Sequence, residues 1–510
     1  MAKVVFKKDN SNQLMLLPLD LGSLVPDNHV VRVIDKVVSE LTLSPLFQTY
    51  KGGGASSYSP RMLLKVIIFG YIDKTYTCRR IAKALRENVY YMWLSGQSKP
   101  DFTTINNFKS KRMKEAVDEV FYAAIEIMIK GGYIKAENLF IDGTKIEANA
   151  NKYTYIWKKN VERQEEKIRE NIKKLLQHAE EMQRKEDEEY GSHDLEEIEG
   201  HVSKEDIESA VEKINKRISE IGKSKKASSE IKKVKKEVEK LKKNQQQKDM
   251  LGGRNSCSKT DTDATFFRMK EDHIGMSQLK PAYNVQIATE NQYILGYGVY
   301  QKAADTSVFI PFMNRVKDHL SKKPQNVIGD AGYGSEENYE YLANNHIGNY
   351  LKYQNFNYEK TSAFKNRKFL SEHFEYDKDR DQYKCPEGQV LDYVFTKSVK
   401  SPNGYQAERM VYRARNCDSC RNKSECNKGS GNRTLEVSPK LIEYKNTARK
   451  NLESEEGIKL RSQRGVDVES VFGQIKHNKQ FRRFYTRGLK NVNTEWALIS
   501  LAHNIKKMAN

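Results

Sequence analysis

Two short apolar runs decide the fold of this chain, and each is followed directly by an aspartate. The first run, Leu139-Phe140-Ile141, leads into Asp142, and the second, Asn326-Val327-Ile328-Gly329, leads into Asp330. Runs of this length that end in Gly or Asp are typical of buried strands. Because carboxylates at strand ends can converge on one edge of a sheet, we expect Asp142 and Asp330 to lie close together.

The elements around these runs indicate an α/β fold. Residues 283–288 and 294–300 predict two paired strands, which follow the first run after a long insertion. A helix is predicted over residues 306–320, with Asp305 as its cap, and a further short strand over residues 350–353. The order of strand, helical insertion, two strands, helix, strand, helix and strand is that of an RNase H-like fold carrying an insert.

An α-helical N-terminal domain is predicted over residues 1–135. Ser59-Pro60 is a helix start signal, and residues 100–104 predict a turn and a cap that lead into a basic stretch. The basic residues of this stretch are Lys109, Lys111, Arg112 and Lys114. Short helices with a basic last helix are compatible with a helix-turn-helix that binds DNA, and also with an ordinary bundle whose lysines are solvated.

Residues 156–250 predict a long coiled-coil-like helical insertion. Apolar residues recur there at heptad-like spacing among Lys, Glu, Arg and Gln, and Gly191 and Gly222 mark breaks where the helices can fold back. The recurring residues are Val161, Ile168, Ile172, Leu175, Met182, Ile207, Val211, Ile214, Ile218, Ile221, Ile231, Val234, Val238 and Leu241. We interpret the insertion as a packing or self-association element, or as a solvated spacer.

The predicted catalytic core surrounds this insertion. Its first part comprises residues 136–155 and 251–355, and its last part, with a basic tail, comprises residues 456–510. Between them, residues 356–455 form a second, cysteine-containing insertion.

Composition favours a polyanionic partner. The 510 residues carry a formal net charge of +20, with a pI near 9.3 and 31% charged residues. Such a protein gains affinity for nucleic acid by releasing condensed counterions, although the same charge can simply keep a surface soluble. No apolar run reaches the roughly 20 residues that span a bilayer, and the N-terminus has no signal-peptide core. We therefore expect a cytoplasmic protein without a membrane partner.

A third carboxylate, Glu469, lies on a predicted C-terminal helix. Glu469, Gly473 and Lys476 share one face of this helix, opposite an apolar stripe. Converging carboxylates repel one another and need a cation, and Mg²⁺ suits oxygen ligands. Two such ions, about 3.5–4 Å apart, activate the attacking oxygen and stabilise the leaving oxygen in a displacement at phosphorus. The alternatives are turn-forming aspartates and a glutamate in a surface ion pair.

The C-terminal helix and the chain beyond it are predicted to bind DNA. A glycine inside a helix costs about 1 kcal/mol relative to alanine, so Gly473 indicates that something approaches closely there. The cationic candidates for phosphate contacts are Lys476, Lys479, Arg482, Arg483 and Arg487. Phe481, Phe484 and Tyr485 are interleaved with them and could stack on bases.

Three stretches resemble DDE transposases of bacterial insertion sequences. They read FIDGTKIEANANKYTY over residues 140–155, VIGDAGYGSEENYEYL over 327–342, and VESVFGQIKHNKQFRRFYTRGLKNVNTEWALISLAHNIKKM over 468–508. In the group that the chain resembles, a Lys follows the catalytic Glu by seven residues, as Lys476 follows Glu469. The helical N-terminal domain is also similar, so the resemblance covers nearly the whole chain.

This resemblance implies an activity and its requirements. Asp142, Asp330 and Glu469 would be the catalytic residues and Mg²⁺ ligands of a retroviral-integrase-like domain, with Mn²⁺ able to substitute. The implied reaction is cleavage of DNA at the terminal inverted repeats and transfer of the freed 3′-hydroxyl into target DNA. The implied partners are double-stranded DNA, as element ends and target, and a second copy of the chain in a homodimer or larger complex. The implied location is the bacterial cytoplasm, at the nucleoid.

One departure from the group's motif concerns an arginine. In the motif, three residues separate this arginine from the catalytic Glu. In this chain Gly465 occupies the position of the arginine. Arg464 and Arg461 are nearby and either could take the role; we count Arg464 among the DNA-binding candidates. Asp467 is a rival to Glu469, but the spacing to the following Lys and the adjacent Phe-Gly favour Glu469.

Four cysteines fall in the second insertion. Cys417 and Cys420 have zinc-ligand spacing, and Cys385 and Cys426 flank them, the latter after a looser gap. Similar cysteines occur in related transposases, so the resemblance favours a small subdomain bound to structural Zn²⁺ or stapled by cysteines. The alternative is a set of free buried thiols.

Two other functions compete with an active transposase. A domesticated, non-catalytic DNA-binding protein would keep the basic surface and lose a carboxylate, and this chain has lost none. A two-metal nuclease would cleave DNA without strand transfer, so analysis of the products would distinguish it.

Overall fold

The strand that carries Asp142 lies at the centre of the main sheet. In this computed structural model the described residues are 20–50, 57–190, 216, 228–269, 278–401 and 403–509. The strands of the main sheet are β1 (Asn138–Glu147), β4 (Thr265–Arg268), β5 (Leu279–Glu290), β6 (Tyr293–Tyr300), β7 (Asn326–Gly329) and β8 (Gly348–Leu351). Their order is β6-β5-β1-β7-β8, and β4 pairs with the other end of β5. β5 is antiparallel to β1 and β6, whereas β7 runs parallel to β1 and β8.

The predicted strands are present, but the bounds of two differ: the last, predicted over residues 350–353, is β8 (Gly348–Leu351), and the first extends further than predicted. β5 and β6 contain the two predicted paired runs, and β7 ends at Gly329, directly before Asp330. The prediction that the first strand ends at Asp142 is wrong, because β1 continues to Glu147. Its second half stays paired with β5, from Asp142 opposite Ile287 to Glu147 opposite Ala282. Pairing with β5 keeps the residues after Asp142 in the strand, although their residue types favour a turn.

Helices cover the N-terminal part of the chain. Their bounds are α1 (Val30–Glu40), α2 (Ser44–Gln48), α3 (Pro60–Ile72), α4 (Cys78–Glu87), α5 (Val89–Ser95), α6 (Phe102–Asn107) and α7 (Met113–Lys130). Ser59 caps α3 by accepting from the Met62 N–H, which confirms the predicted start. A π-helical turn, Phe108–Arg112, joins α6 to α7, so the predicted basic stretch continues the helix.

The N-terminal helices share a core with the sheet. They pack against α17 (Leu489–Met508), whose other side covers β6, and one continuous apolar cluster includes both regions. Glu495 of α17 is fully buried and pairs with Lys109 at 3.3 Å. Lys109 is therefore a structural residue. Both interpretations of the basic stretch, as a DNA-binding helix and as a bundle with solvated lysines, assumed that Lys109 faces solvent. Lys109 is buried instead.

Two long helices, inserted between β1 and β5, pack against each other. α8 (Lys158–Tyr190) runs outward and α9 (Ser228–Leu251) returns, since Asn244 near the end of α9 donates to the Val161 carbonyl near the start of α8. The predicted positions Ile172, Ile231, Val234, Val238 and Leu241 are buried at this contact, and Ile168 and Leu175 are partly buried there; Leu176 and Ala179, which were not predicted, are also buried. The predicted positions from Ile207 to Ile221 lie outside the described residues. Short strands β2 (Tyr155–Trp157) and β3 (Ser256–Ser258) pair at the base.

The second insertion contains an antiparallel sheet that patterns alone did not predict. Its strands, in spatial order, are β13 (Thr434–Val437), β12 (Gln406–Ala414), β11 (Val390–Lys400), β10 (Gln382–Lys384) and β9 (Glu375–Asp377). Helices α14 (Pro439–Glu453) and α15 (Glu455–Arg464) return the chain to the main sheet. The remaining helices are α10 (Asp305–His319), α11 (Glu336–Asn344), α12 (Ser362–Asn366), α13 (Lys423–Cys426) and α16 (Ser470–Gly473). Across the part of the chain that the structure describes, no helix is long and apolar enough to cross a membrane.

Candidate active site

Asp142 and Asp330 occupy equivalent places on neighbouring parallel strands. The last pair in the β1–β7 register is Phe140 with Ile328, and each aspartate follows two residues later on its own strand. Asp330 lies just past β7, where its Oδ1 accepts a hydrogen bond of 2.9 Å from the Gly332 N–H. The sheet itself therefore brings these two carboxylates to the same level.

The environment of Asp142 disfavours its ionised form. Its side chain is 19% exposed. Burial raises the pKa of the Asp142 carboxyl to about 6, with further upward contributions from Asp330 and Asp305, whereas Arg464 and the Gly143 N–H lower it. A cation bound beside Asp142 would favour its ionised form.

Arg464 connects Asp142 to Glu469. One guanidinium nitrogen lies 3.2 Å from Asp142 Oδ1 and another lies 3.6 Å from Glu469 Oε1. The Arg464 side chain is only 11% exposed, whereas that of Glu469 is 66% exposed. The buried guanidinium thus holds an otherwise solvent-accessible carboxylate beside the sheet.

A π-helical turn explains why Arg464 can do this from an unexpected position. Residues Gly465–Glu469 form this turn, in which hydrogen bonds span five residues instead of four. In an α-helix, the residue four positions before Glu469 would lie beside it. In this π-helical turn the residue five positions before it, Arg464, lies there instead. Arg461, the other candidate, lies 5.2 Å from the centroid of the Phe356 ring. Arg464 is the arginine in contact with the carboxylates.

Asp467, the rival to Glu469, faces a different part of the protein. It is 2% exposed and accepts hydrogen bonds from the Gln292 N–H and, at 2.9 Å, from Gln463 Nε2. Gln292 belongs to the β5–β6 turn, so this carboxylate anchors the helical segment to a hairpin. Its contacts are structural, and Glu469 is the carboxylate directed towards Asp142.

Asp305 is a fourth acidic residue at the site, and sequence reasoning assigned it another role. The predicted capping role is wrong, because Ala304 occupies the N-cap position and makes no side-chain cap. Asp305 Oδ1 instead accepts from Asn284 Nδ2 at 2.9 Å and from Gln286 Nε2 at 3.0 Å. Lys145 lies 3.6 Å from the same oxygen. The sequence signal for this role of Asp305 was the presence of two polar residues, Asn284 and Gln286, within the apolar strand β5. Both residues are fully buried.

Gly143 is required by the closeness of this network. A Cβ at this position would collide with the side-chain amide of Gln286 and lie 3.0 Å from Asp305 Oδ1. The polar layer under the carboxylates therefore leaves no space for a side chain beside Asp142. At Gly473 the opposite holds, since a Cβ there would meet no atom within 4 Å. The close approach expected at Gly473 does not come from the described protein, and the face beside Glu469 is open.

The donor chemistry of the site fits a hard divalent cation. Carboxylate oxygens are the ligands that Mg²⁺ prefers, and Asp330 and Asp305 both contribute, after burial, to the raised pKa of Asp142. Among the described residues, however, no group of three or more His, Cys, Asp or Glu side chains is arranged to hold a metal ion. The sheet brings Asp142 and Asp330 together, while Glu469 is joined to them through the Arg464 guanidinium.

The predicted DNA-binding residues fall into two groups. Arg482, Arg483 and Arg487 are exposed and lie along the end of β1. Arg487 Nε donates to the Asn149 carbonyl at 2.8 Å, and Arg483 donates to the Ala150 carbonyl at 3.3 Å. These contacts orient the arginines on one surface beside the sheet.

The other cationic candidates are buried. Arg464 lies among the carboxylates, Lys476 is 9% exposed, and Lys479 is 3% exposed. The aromatic prediction is wrong for Phe481 and Phe484, which belong to the main apolar core and cannot stack on bases, whereas Tyr485 is exposed. Their alternation with arginines reflects a segment that is buried on one side only.

The four cysteines of the second insertion come together. Cys385, Cys417, Cys420 and Cys426 line one small cavity of about 20 Å³, and none of them forms a disulfide. Burial raises the pKa of the Cys426 thiol. The charge of Arg433 lowers this pKa, and the other three thiols raise it further. The four cysteines therefore border one small space, as their spacing predicted, although no three of the described His, Cys, Asp or Glu side chains are arranged to hold a metal ion.

Comparison with known families places two matches on the chain. Residues 384–509 match a family described as a transposase DDE domain, and residues 19–111 match a transposase domain (DUF772). The first match includes the cysteines, Arg464 and Glu469, whereas Asp142 and Asp330 lie outside both matched ranges. No curated protein matches the chain.

Fold, carboxylates and matches define a mixed α/β protein with a transposase DDE domain. Both matches support a DDE transposase of an insertion sequence, in agreement with the resemblance described above; of its three stretches, the one over residues 468–508 lies within a matched range.

Proposed function

We propose that this transposase binds the terminal inverted repeats of its element, cleaves a DNA strand there, and transfers the freed 3′-hydroxyl to target DNA in the bacterial cytoplasm. The observations that support the proposal are the positions of Asp142 and Asp330 at the same level of neighbouring strands, and the pairing of Arg464 with both Asp142 and Glu469. Two strand-borne carboxylates and one helix-borne carboxylate, beside an exposed arginine surface, suit chemistry on a phosphodiester.

The strand order supports an RNase H-like catalytic domain. β5 lies between β6 and β1 and is antiparallel to both, and β7 and β8 continue the sheet parallel to β1. In this assignment α8 and α9 form a coiled-coil-like insertion that leaves the core after β1 and returns before β5. The insertion is then free to mediate the homodimer that brings two DNA ends together.

In the proposed mechanism Asp142, Asp330 and Glu469 would hold Mg²⁺, or Mn²⁺ in its place. When bound, the metal activates the attacking oxygen and stabilises the leaving oxygen of a displacement at phosphorus. Arg464 orients Glu469 towards the sheet, and the Gly143 N–H orients Asp142 through a hydrogen bond of 2.9 Å. Arg482, Arg483 and Arg487 bind backbone phosphates and fix the register of the DNA.

Incubation of the full chain with labelled duplexes that end in the element's inverted repeat tests this function. We expect nicking at the repeat and joining to a second duplex with Mg²⁺ or Mn²⁺, and neither reaction with EDTA. Scrambled ends serve as the control for specificity. Binding without cleavage would identify a domesticated DNA-binding protein, and cleavage without joining would identify a nuclease; either result contradicts the proposal.

We further propose that Cys385, Cys417, Cys420 and Cys426 bind one structural Zn²⁺, supported by their shared cavity. Purified protein is expected to contain about one zinc per chain, as tetrahedral four-thiolate sites do. Cys417→Ser should lower the zinc content and the thermal stability, whereas Cys78→Ser, remote from the cluster, should leave the zinc content unchanged. Elemental analysis by mass spectrometry measures this, and a zinc-free wild-type protein contradicts it.

A further inference from the structure

A polar cavity lies apart from Asp142, Asp330 and Glu469, none of which lines it. It encloses about 390 Å³ and is bordered by the β5–β6 turn, the segment after Glu469 and the C-terminal end of α17. This volume lies within the range of roughly 300–1,000 Å³ that is usual for small-ligand pockets. The residues that line it include Gln292, Asn478, Lys479, His503, Lys506 and Lys507. No carboxylate is among the lining residues.

Lys479 is the unusual member of this cavity. Its side chain is 3% exposed, and its Nζ has no hydrogen-bond partner among the described residues. Burying an ammonium group without partners is costly, so such groups normally pair with an anion or shift their pKa. Burial, and next the charge of Lys506, lowers the pKa of Lys479 to about 7. Without a ligand, the protein leaves a cationic side chain unsatisfied at this place.

The surrounding groups add donors and positive charge. Lys506 is exposed at the rim, and Lys507 Nζ lies 5.1 Å from the Tyr293 ring centroid. His503 Nε2 lies 2.9 Å from the Gln292 carbonyl oxygen, and burial lowers the pKa of His503 to about 3, so this histidine is neutral.

The neighbouring acid, Asp467, does not line the cavity, although its charge and that of Lys507 interact. Both oxygens of Asp467 already accept hydrogen bonds, one from the Gln292 N–H and the other from Gln463. Three lysines therefore converge on a space whose lining residues supply no compensating anion.

We propose that this cavity binds a phosphate group, with Lys479 Nζ as the inner donor and Lys506 and Lys507 as outer cations. A phosphate has several acceptor oxygens, and charge-assisted hydrogen bonds to it are roughly twice as strong as neutral ones. It would satisfy the buried ammonium and restore its charged form. Lys479 was predicted to contact DNA; from its buried position it can reach only a phosphate that enters the cavity. The inference does not depend on the proposed catalytic function.

Thermal unfolding of the full chain in sodium phosphate, compared with sodium chloride at equal ionic strength, tests this site. Binding to the native state alone should raise the wild-type unfolding midpoint saturably with phosphate concentration. Lys479→Met should fold, because it replaces an unpaired buried cation with an apolar chain of similar length, and should weaken phosphate binding by about tenfold or more. Lys506→Gln at the rim should weaken it less, and the exposed Lys368→Met should behave like wild type. An equal phosphate response in wild type and Lys479→Met overturns the proposal, because that response is then a general salt effect.

The source of the phosphate is decided by a DNA-binding measurement on the same proteins. If a DNA backbone phosphate occupies the cavity, free phosphate competes with a labelled duplex and Lys479→Met binds that duplex more weakly than Lys368→Met does. If a free phosphate or phosphate ester is the ligand, duplex binding is equal in both variants while the phosphate-dependent midpoint shift persists in Lys368→Met alone. Both results support the site, and absence of any saturable phosphate effect in wild type rejects it.

Discussion

Replacing Asp142 with asparagine is expected to lower cleavage of element-end DNA by on the order of 10³-fold, at the upper end of what losing one preorganised electrostatic group costs. The amide is nearly isosteric and can still accept the hydrogen bond from the Gly143 N–H. It removes, however, the negative charge that would bind Mg²⁺ beside Asp330. DNA binding should remain close to wild type, because the exposed arginines are not altered. Cleavage is measured with labelled duplexes, and binding with fluorescence anisotropy.

Asp467→Asn is the matched control for this prediction. It also neutralises a buried aspartate of the same region, but one whose contacts are with Gln292 and Gln463 and not with the other carboxylates. We expect it to retain cleavage and to lose at most some thermal stability. If Asp142→Asn cleaves DNA at a rate near that of wild type, or Asp467→Asn fails as completely, the assignment of the catalytic carboxylates is wrong.

Replacing Arg464 with alanine is expected to lower cleavage by on the order of 10²-fold, in line with the removal of one charged positioning group. Without the guanidinium, Glu469 loses the contact that holds it near Asp142, and the two carboxylates repel each other. If orientation is the role of Arg464, the loss should remain at saturating Mg²⁺. Arg464→Lys should recover only part of the rate, since a single ammonium cannot reproduce two separate contacts.

Arg461→Ala provides the comparison for Arg464. It removes an arginine three residues earlier that lies over Phe356, outside the carboxylate cluster. A much smaller loss of cleavage is expected, with the rate measured over a full Mg²⁺ titration for both variants. Equal losses in the two variants, or complete recovery of Arg464→Ala at high Mg²⁺, would show that Arg464 does not position Glu469.

Local patterns in the sequence predicted most of the elements that build the site. The β5–β6 pair, the aspartate after β7 and the helix start at Ser59 follow from strand alternation, turn residues and capping. These signals are local, because they depend on residues within a few positions of each other. The buried apolar positions of α9 follow from the same kind of spacing, whereas in α8 the spacing predicted Ile172 and missed Leu176 and Ala179.

Contacts between distant segments decided what the local patterns could not. Asp142 lies within a strand because β5, more than 130 residues later, extends the ladder past it. Asp305 reaches the site through two polar residues of that same strand, although its own neighbours predict a helix cap. The burial of charged side chains also depends on which distant segments of the chain pack together.

By itself, the sequence determined the residue types on which the proposed chemistry depends: three carboxylates, a run of basic residues, a helical insertion and four cysteines. The tertiary structure alone decided which arginine joins the carboxylates, since the π-helical turn at Gly465–Glu469 shifts Arg464 onto the face of Glu469. It also decided that Lys109 pairs with Glu495 and that Lys479 is enclosed in a cavity. The physical reason is that residue types are fixed along the chain, whereas burial and ion pairing arise only where segments far apart in sequence pack together.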